Sequence, residues 1–276
     1  MPTTPDLLRY PHPTGVVFHS DPGLLLRRGI LVAFSERTGG VSAGPWRTLN
    51  LAGHVGDRPG SVDENRRLFL ASLGFEHLVE RLTTSEQVHG HSIALVTDNN
   101  IGAGARVASG PPPIPATDAL VTTLAGAPLL LMYADCVPVV LVAERPTRSV
   151  AVVHAGWRGA LASLPGSTAR HLAGEAGCDV ADLAAYIGPY VGSCCYSVGD
   201  EILSQFCNKF DTIAAVDGRL DLGAAVTESL MEAGVIKERI ARVAACTAES
   251  TDRFFSYRAN RVTGRHGALA LITEVE

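Results

Sequence analysis

The chain has 276 residues, 46% hydrophobic and 18% charged, which excludes a disordered polypeptide and allows a sizeable buried core. A formal charge of -5 gives no broad basic face, so nucleic acid is not an expected partner. No apolar run has the length of a membrane span, so no membrane partner is expected either.

Residues 1–28 are rich in Pro, Gly and polar groups and read as an N-terminal extension that wraps loosely ahead of a single domain over 29–276. The opening Met1-Pro2-Thr3-Thr4-Pro5-Asp6 lacks the basic and apolar segments of a secretory signal. Gly29 to Ser35 is the first firm strand, and Arg37-Thr38-Gly39-Gly40 the turn after it. Ser61-Val62-Asp63-Glu64 has the form of a capping box, which predicts a helix over 61–73.

Short apolar runs follow at 92–97, 119–122, 128–133, 138–142 and 150–153. Their continuous apolarity, without alternation, predicts strands covered on both faces. Gly110 to Pro115 is a stiff exposed loop, and Gly156 to Gly174 a helix kinked or split by Pro165. Beyond it the pattern predicts strands near 184–187, 240–245 and 267–273, and helices near 199–208 and 222–234. Strands and helices mix without a strict βαβ rhythm. The fold class is therefore α+β, a single domain in which stacked sheets are flanked by helices.

Three stretches carry chemistry: Gln87-Val88-His89-Gly90, Ala134-Asp135-Cys136-Val137-Pro138, and His154-Ala155-Gly156-Trp157-Arg158-Gly159. Each places a soft donor at the mouth of an apolar strand. Two imidazoles and a thiolate suit zinc and leave one tetrahedral position for water or substrate. The wide separation of these residues along the chain lacks a zinc-finger spacing, and a packed thiol with two hydrogen-bonded imidazoles is the commoner fate of such residues. Asp135 and Arg158 shift that balance, because charge at the mouth of an apolar strand is costly unless paired or used. The six cysteines are irregularly spaced, with Cys194 and Cys195 adjacent, which fits a reducing cytoplasm better than a disulfide framework.

Taken together with Ile187-Gly188-Pro189, Cys194-Cys195-Tyr196 and Phe254-Phe255-Ser256-Tyr257-Arg258, these stretches resemble one family. It is the laccase-domain family, labelled multicopper polyphenol oxidase, whose bacterial members are described as zinc purine nucleoside phosphorylases. The resemblance runs from about residue 30 to 270. It implies a mixed α/β/β/α sandwich, with His89, Cys136 and His154 as zinc ligands. It also implies phosphorolysis of adenosine and inosine, cleavage of methylthioadenosine, and adenosine deamination as a side activity. Tyr190, Ser197 and Glu86 depart from the residues usual at their places; they flank the ligands and bear on substrate preference rather than on the metal.

Phosphorolysis needs an anion held against the anomeric carbon while the purine leaves. Arg37 and Arg158 are the phosphate candidates, because a guanidinium fork matches phosphate oxygens; a surface ion pair is the competing role for Arg158. Asn50 contacts the sugar or caps a turn. For deamination, Asp135 or Asp118 is the candidate proton shuttle, and Asp135 has an equal claim to orienting a ligand histidine. The expected partners are a purine nucleoside and inorganic phosphate, with a homodimer as the assembly.

Two rivals use the same residues. A copper enzyme with a three-copper cluster needs on the order of ten imidazoles, and the chain has nine, although a single copper could occupy the three-ligand site. A metal-free cysteine hydrolase would pair Cys136 as nucleophile with His154 as base. A purely structural zinc is disfavoured by three ligands where four are usual.

Overall fold

Each central strand is apolar at every position, so alternate side chains must enter two different cores. In the computed structural model, which describes residues 4–274, they do. The chain opens with β1 (Leu8–Pro11) and β2 (Val17–Ser20), a short helix α1 (Pro22–Arg28) and β3 (Ile30–Ser35). Helix α2 (Pro59–Ser72) leads to β4 (Ile93–Leu95), β5 (Ala119–Thr122), β6 (Leu129–Tyr133), β7 (Val137–Ala143) and β8 (Ser149–Ala155). Then come α3 (Trp157–Leu161), α4 (Leu164–Ala176), β9 (Ala184–Ile187) and α5 (Asp200–Phe210). The hairpin of β10 (Ala215–Val216) and β11 (Arg219–Leu220), α6 (Leu222–Ala233), β12 (Ile240–Arg242) and β13 (His266–Ile272) complete the chain.

One sheet has the order β1-β2-β3-β13-β6 and the other β12-β9-β7-β8-β5-β4. The first is antiparallel throughout; the second is parallel only at its edge pairs, β12 with β9 and β4 with β5. Val32 and Phe34 of β3, Leu131 and Tyr133 of β6, and Val140 and Val152 of β7 and β8 fill the space between the sheets. Their neighbours Leu31, Ala33 and Leu130 turn outward under Phe69 and Leu70 of α2. On the far side, Val139, Leu141 and Val153 pack against Leu172 of α4, Phe206 of α5 and Val226 of α6. The result is the expected α/β/β/α sandwich, with three cores where one apolar pattern was read.

Two expectations change. Residues 8–28 do not wrap loosely: β1 pairs with β2, and β2 with β3 in register Phe18↔Ser35 to Ser20↔Ala33, so the first sheet already begins at Leu8, and α1 follows it over Pro22–Arg28. Short strands separated by Pro and Gly gave too little pattern to see. Residues 1–3 of that stretch lie outside the described residues, as do 275 and 276 at the far end. Helix α2 begins at Pro59, not at Ser61, because a proline in the first turn spends no amide that the helix needs. Glu64 does not reach back to a cap but accepts from Arg67 at 2.8 and 2.7 Å.

Pro165 splits the predicted long helix as expected. The break falls at Ser163, whose φ of 55° ends α3, and the proline opens α4. These connections matter to function because the loops at the β7–β8 end of the second sheet gather the three chemistry-bearing stretches.

Candidate metal centre

His154 is the penultimate residue of β8, paired opposite Pro138 of β7, and Cys136 immediately precedes β7. Adjacent antiparallel strands thus bring thiol and imidazole together through register alone. His89 reaches them from the turn before β4, in a left-handed conformation with φ of 59°. The donor atoms of the three lie within 4.8 Å of one another, and the two imidazole rings meet edge-on at 4.9 Å between centroids. A Cβ on Gly156 would stand 2.9 Å from His89 Cδ2 and 3.2 Å from Cys136 Sγ, so the chain needs glycine to pass the trio.

Asp118, fully buried just before β5, holds this arrangement. Its carboxylate accepts from the amides of Val88 at 3.2 Å, His89 at 3.1 Å and Gly90 at 2.7 Å. It also accepts from His154 Nδ1 at 2.7 Å, while its own carbonyl takes the His154 amide at 2.7 Å. A carboxylate on Nδ1 fixes the ring and leaves Nε2 as its free donor, the usual support of a metal-bound histidine. The orienting carboxylate is therefore Asp118, not Asp135. Two imidazole nitrogens, one sulfur and this supporting acid form a donor set that fits zinc with an open fourth position.

Charge in the trio is mutually sustained. Burial opposes the Cys136 thiolate, but His154 and His89 outweigh it and lower the thiol to about 6. Burial likewise opposes the His154 imidazolium, yet Cys136 and Asp118 raise it to about 9. Burial would raise Asp118 too; His154 and the amides of Gly90 and Val88 hold it below its ordinary value.

The trio forms the floor of a cavity of about 500 Å³. Arg158, exposed at the start of α3, stacks on Trp157 at 4.3 Å and lines one wall. Arg258, Arg261 and Arg265 line another, with Arg258 over the Tyr196 ring at 5.0 Å and Arg261 over Tyr257 at 5.4 Å. Asp135 also lines the cavity. Its carboxylate accepts from Thr247 Oγ1 at 2.7 Å and the Arg258 amide at 2.6 Å, which ties the arginine-bearing segment to the β6–β7 connection. The cationic wall went unassigned in the sequence, although Arg253, Arg258, Arg261 and Arg265 crowd one short stretch and gave the signal. His54 lines the cavity as well, and burial with Arg265 nearby lowers its pKa.

Two expected site residues stand apart. Arg37 borders a different cavity, of about 590 Å³. Its Nε and Nη2 donate to the Arg47 carbonyl at 2.9 and 2.8 Å, its Nη1 to the Thr251 carbonyl at 2.6 Å, and its guanidinium lies 4.4 Å over Phe255. Asn50 is fully buried; it donates to the Ala52 carbonyl and to Asp57, and accepts from the Arg265 amide at 2.9 Å. Both residues brace loops, which a sequence reading cannot distinguish from ligand contact.

The family model for multi-copper polyphenol oxidoreductase laccase matches residues 31–273. A purine nucleoside phosphorylase of Streptomyces coelicolor is 38% identical over 241 residues, 86% of this chain and 93% of that protein. The purine nucleoside phosphorylase YlmD of Geobacillus stearothermophilus is 35% identical over 252 residues, 86% of this chain and 88% of that one. The crystal structure of YlmD from that organism superposes with a TM-score of 0.82 at 34% identity, covering 89% of this chain and 93% of the other. The Bacillus licheniformis protein YfiH, described as hypothetical, superposes with a TM-score of 0.85 at 28% identity over 95% and 97%.

Proposed function

The chain belongs to the multi-copper polyphenol oxidoreductase laccase family, and from that premise we propose that it is a zinc-dependent purine nucleoside phosphorylase. The observation that carries the reading is the His89, Cys136 and His154 floor, braced by Asp118, beneath a wall of arginines. The reaction joins phosphate to the anomeric carbon of the ribose as the purine leaves, through a transition state with a cationic sugar and an anionic base. A site for it must hold an anion and exclude bulk water.

Arg158, Arg258, Arg261 and Arg265 are the phosphate ligands in this reading, since guanidinium forks match phosphate oxygens and these four line the cavity. Arg37, whose donors are engaged elsewhere, does not share the task. Asp135 positions Arg258 by taking its amide. Tyr196, Tyr257 and Trp157 offer aromatic surface for sugar and purine and displace water. His89, Cys136 and His154 hold the zinc, and Asp118 keeps His154 in the tautomer that can ligate. When bound, zinc supplies Lewis acidity to the pocket, which serves both phosphorolysis and the adenosine deamination proposed as a side activity. Adenosine, inosine and methylthioadenosine are the proposed nucleosides, a homodimer the proposed assembly and the cytoplasm the proposed compartment.

A copper cluster is the weaker reading. Among the described residues, the two groups of clustered metal donors contain two imidazoles between them, far short of the roughly ten that a multicopper centre requires. The Cys136–His154 contact also suits a metal-free cysteine hydrolase. A chelator separates the two, because it would spare the hydrolase and abolish the phosphorylase.

The decisive assay is inosine with inorganic phosphate, following hypoxanthine and ribose-1-phosphate. Release that depends on phosphate and disappears in His154→Ala is the expected result. Base release without phosphate would indicate a hydrolase, and phenol oxidation with stoichiometric copper would overturn the proposal.

A further inference from the structure

A second group of soft donors lies beyond the wall of the cavity. Cys194 and Cys195 follow the Gly188-Pro189 turn after β9, and Cys246 sits in the loop after β12. Those two loops meet at a bridge between Tyr190 and Cys246, and the Thr247 amide donates to the Tyr190 carbonyl at 3.0 Å. The three sulfurs lie within 4.8 Å of one another, with Cys194 exposed and the other two part-buried. Zn–S bonds of about 2.3 Å would set tetrahedral sulfurs roughly 3.8 Å apart, so side-chain rotation closes the remaining gap.

The surroundings are built for sulfur. The Gly192 amide donates to Cys246 Sγ at 3.2 Å, a contact that stabilises a thiolate. A Cβ on Gly192 would stand 3.2 Å from Cys194 Sγ, closer than side chains ordinarily pack.

We propose that Cys194, Cys195 and Cys246 form a second metal site, a thiolate site for a closed-shell soft cation, zinc(II) or copper(I). Each thiol that ligates releases one proton and forms one metal–sulfur bond; no electrons are transferred. The ion would fasten together the two loops that hold Asp135 from behind, since the Val191 amide donates to the Asp135 carbonyl at 3.0 Å and Thr247 Oγ1 to its carboxylate. The proposal stands on the sulfur cluster and does not depend on the reaction catalysed in the cavity.

Metal stoichiometry of the reduced full-length protein, loaded with excess zinc(II) and washed, tests it. Two zinc ions per chain are expected, falling to one in Cys246→Ser and in Cys195→Ser, while Cys136→Ala loses only the other ion. Exposed Cys194→Ser keeps the test open if a more buried variant fails to fold. Loading zinc-saturated protein anaerobically with copper(I) distinguishes the cations: displacement of one zinc by one copper assigns copper(I), and retention of both assigns zinc(II). With cobalt(II) as a probe, the second site should give the more intense sulfur-to-metal charge-transfer band, having three sulfurs against one. A single ion per chain under both metals, or a second ion retained in all three serine variants, overturns the proposal.

Discussion

Two buried imidazoles pack against the same Tyr133 ring, His154 at 5.5 Å and His266 at 6.4 Å, and they have opposite fates. Both have lost water, which disfavours the cation in each. His154 has an acid on one nitrogen and a thiol nearby, and is raised to about 9. Neither ring nitrogen of His266 has a hydrogen-bond partner among the described residues. The Pro189 backbone, outside hydrogen-bonding geometry, offsets only part of the burial, and the imidazole is pushed down to about 3. Burial therefore makes a histidine inert or useful according to its partners. The arginines repeat the lesson: Arg37 spends its donors on carbonyls, whereas Arg258 is held by its backbone and keeps its guanidinium for the cavity.

The sharpest way to break the contrast is to remove the partner and keep the ring. Asp118→Asn should free His154 and the 88–90 turn together, lowering metal affinity and activity by about 10–100-fold, measured by competition with a chelator and by turnover. Full metal affinity in this variant would mean that Asp118 is only a structural brace. Arg258→Ala should raise the KM for phosphate by about tenfold, the value of one charge-assisted hydrogen bond, with a smaller change in the nucleoside KM. Arg37→Ala should leave both KM values within about twofold while destabilising the fold by about 1–3 kcal/mol, because two carbonyls lose a charged donor. An Arg37 variant with a raised phosphate KM would erase the distinction between the two cavities.

The last prediction concerns His266 and pH. A folded-state value of about 3 against 6.5 in the open chain means that the unfolded state binds a proton the folded state refuses. Its contribution to stability is complete above pH 6.5 and declines as pH falls toward 3, with a slope of up to about 1.4 kcal/mol per pH unit. Denaturant unfolding at several pH values should show His266→Gln less sensitive than the wild type across that window. Equal sensitivity would mean that His266 finds a partner in solution.

Much of this was legible in the chain because apolar continuity and breaker residues are local properties. Runs such as Val137 to Ala143 and Ser149 to Ala155 announce strands covered twice, and the three motif stretches announce their donors. β1 and β2 escaped because each has only four residues and joins the sheet through a neighbour, β2 on β3 and β1 on β2. Arg37 and Asn50 were misplaced for a different reason. A polar side chain beside a motif serves a ligand or a loop carbonyl equally well until its neighbours are known.

The amino-acid sequence by itself determined the α+β class and most strand positions, since these follow from residue type and short-range periodicity, while the three soft donors were singled out by their motif stretches and the family resemblance those stretches carry. Tertiary structure decided which carboxylate stands behind His154, which arginines face the cavity, and that Cys246 lies beside Cys194 and Cys195. Those facts depend on strand register and loop closure between residues far apart in the chain, where no local pattern carries the information.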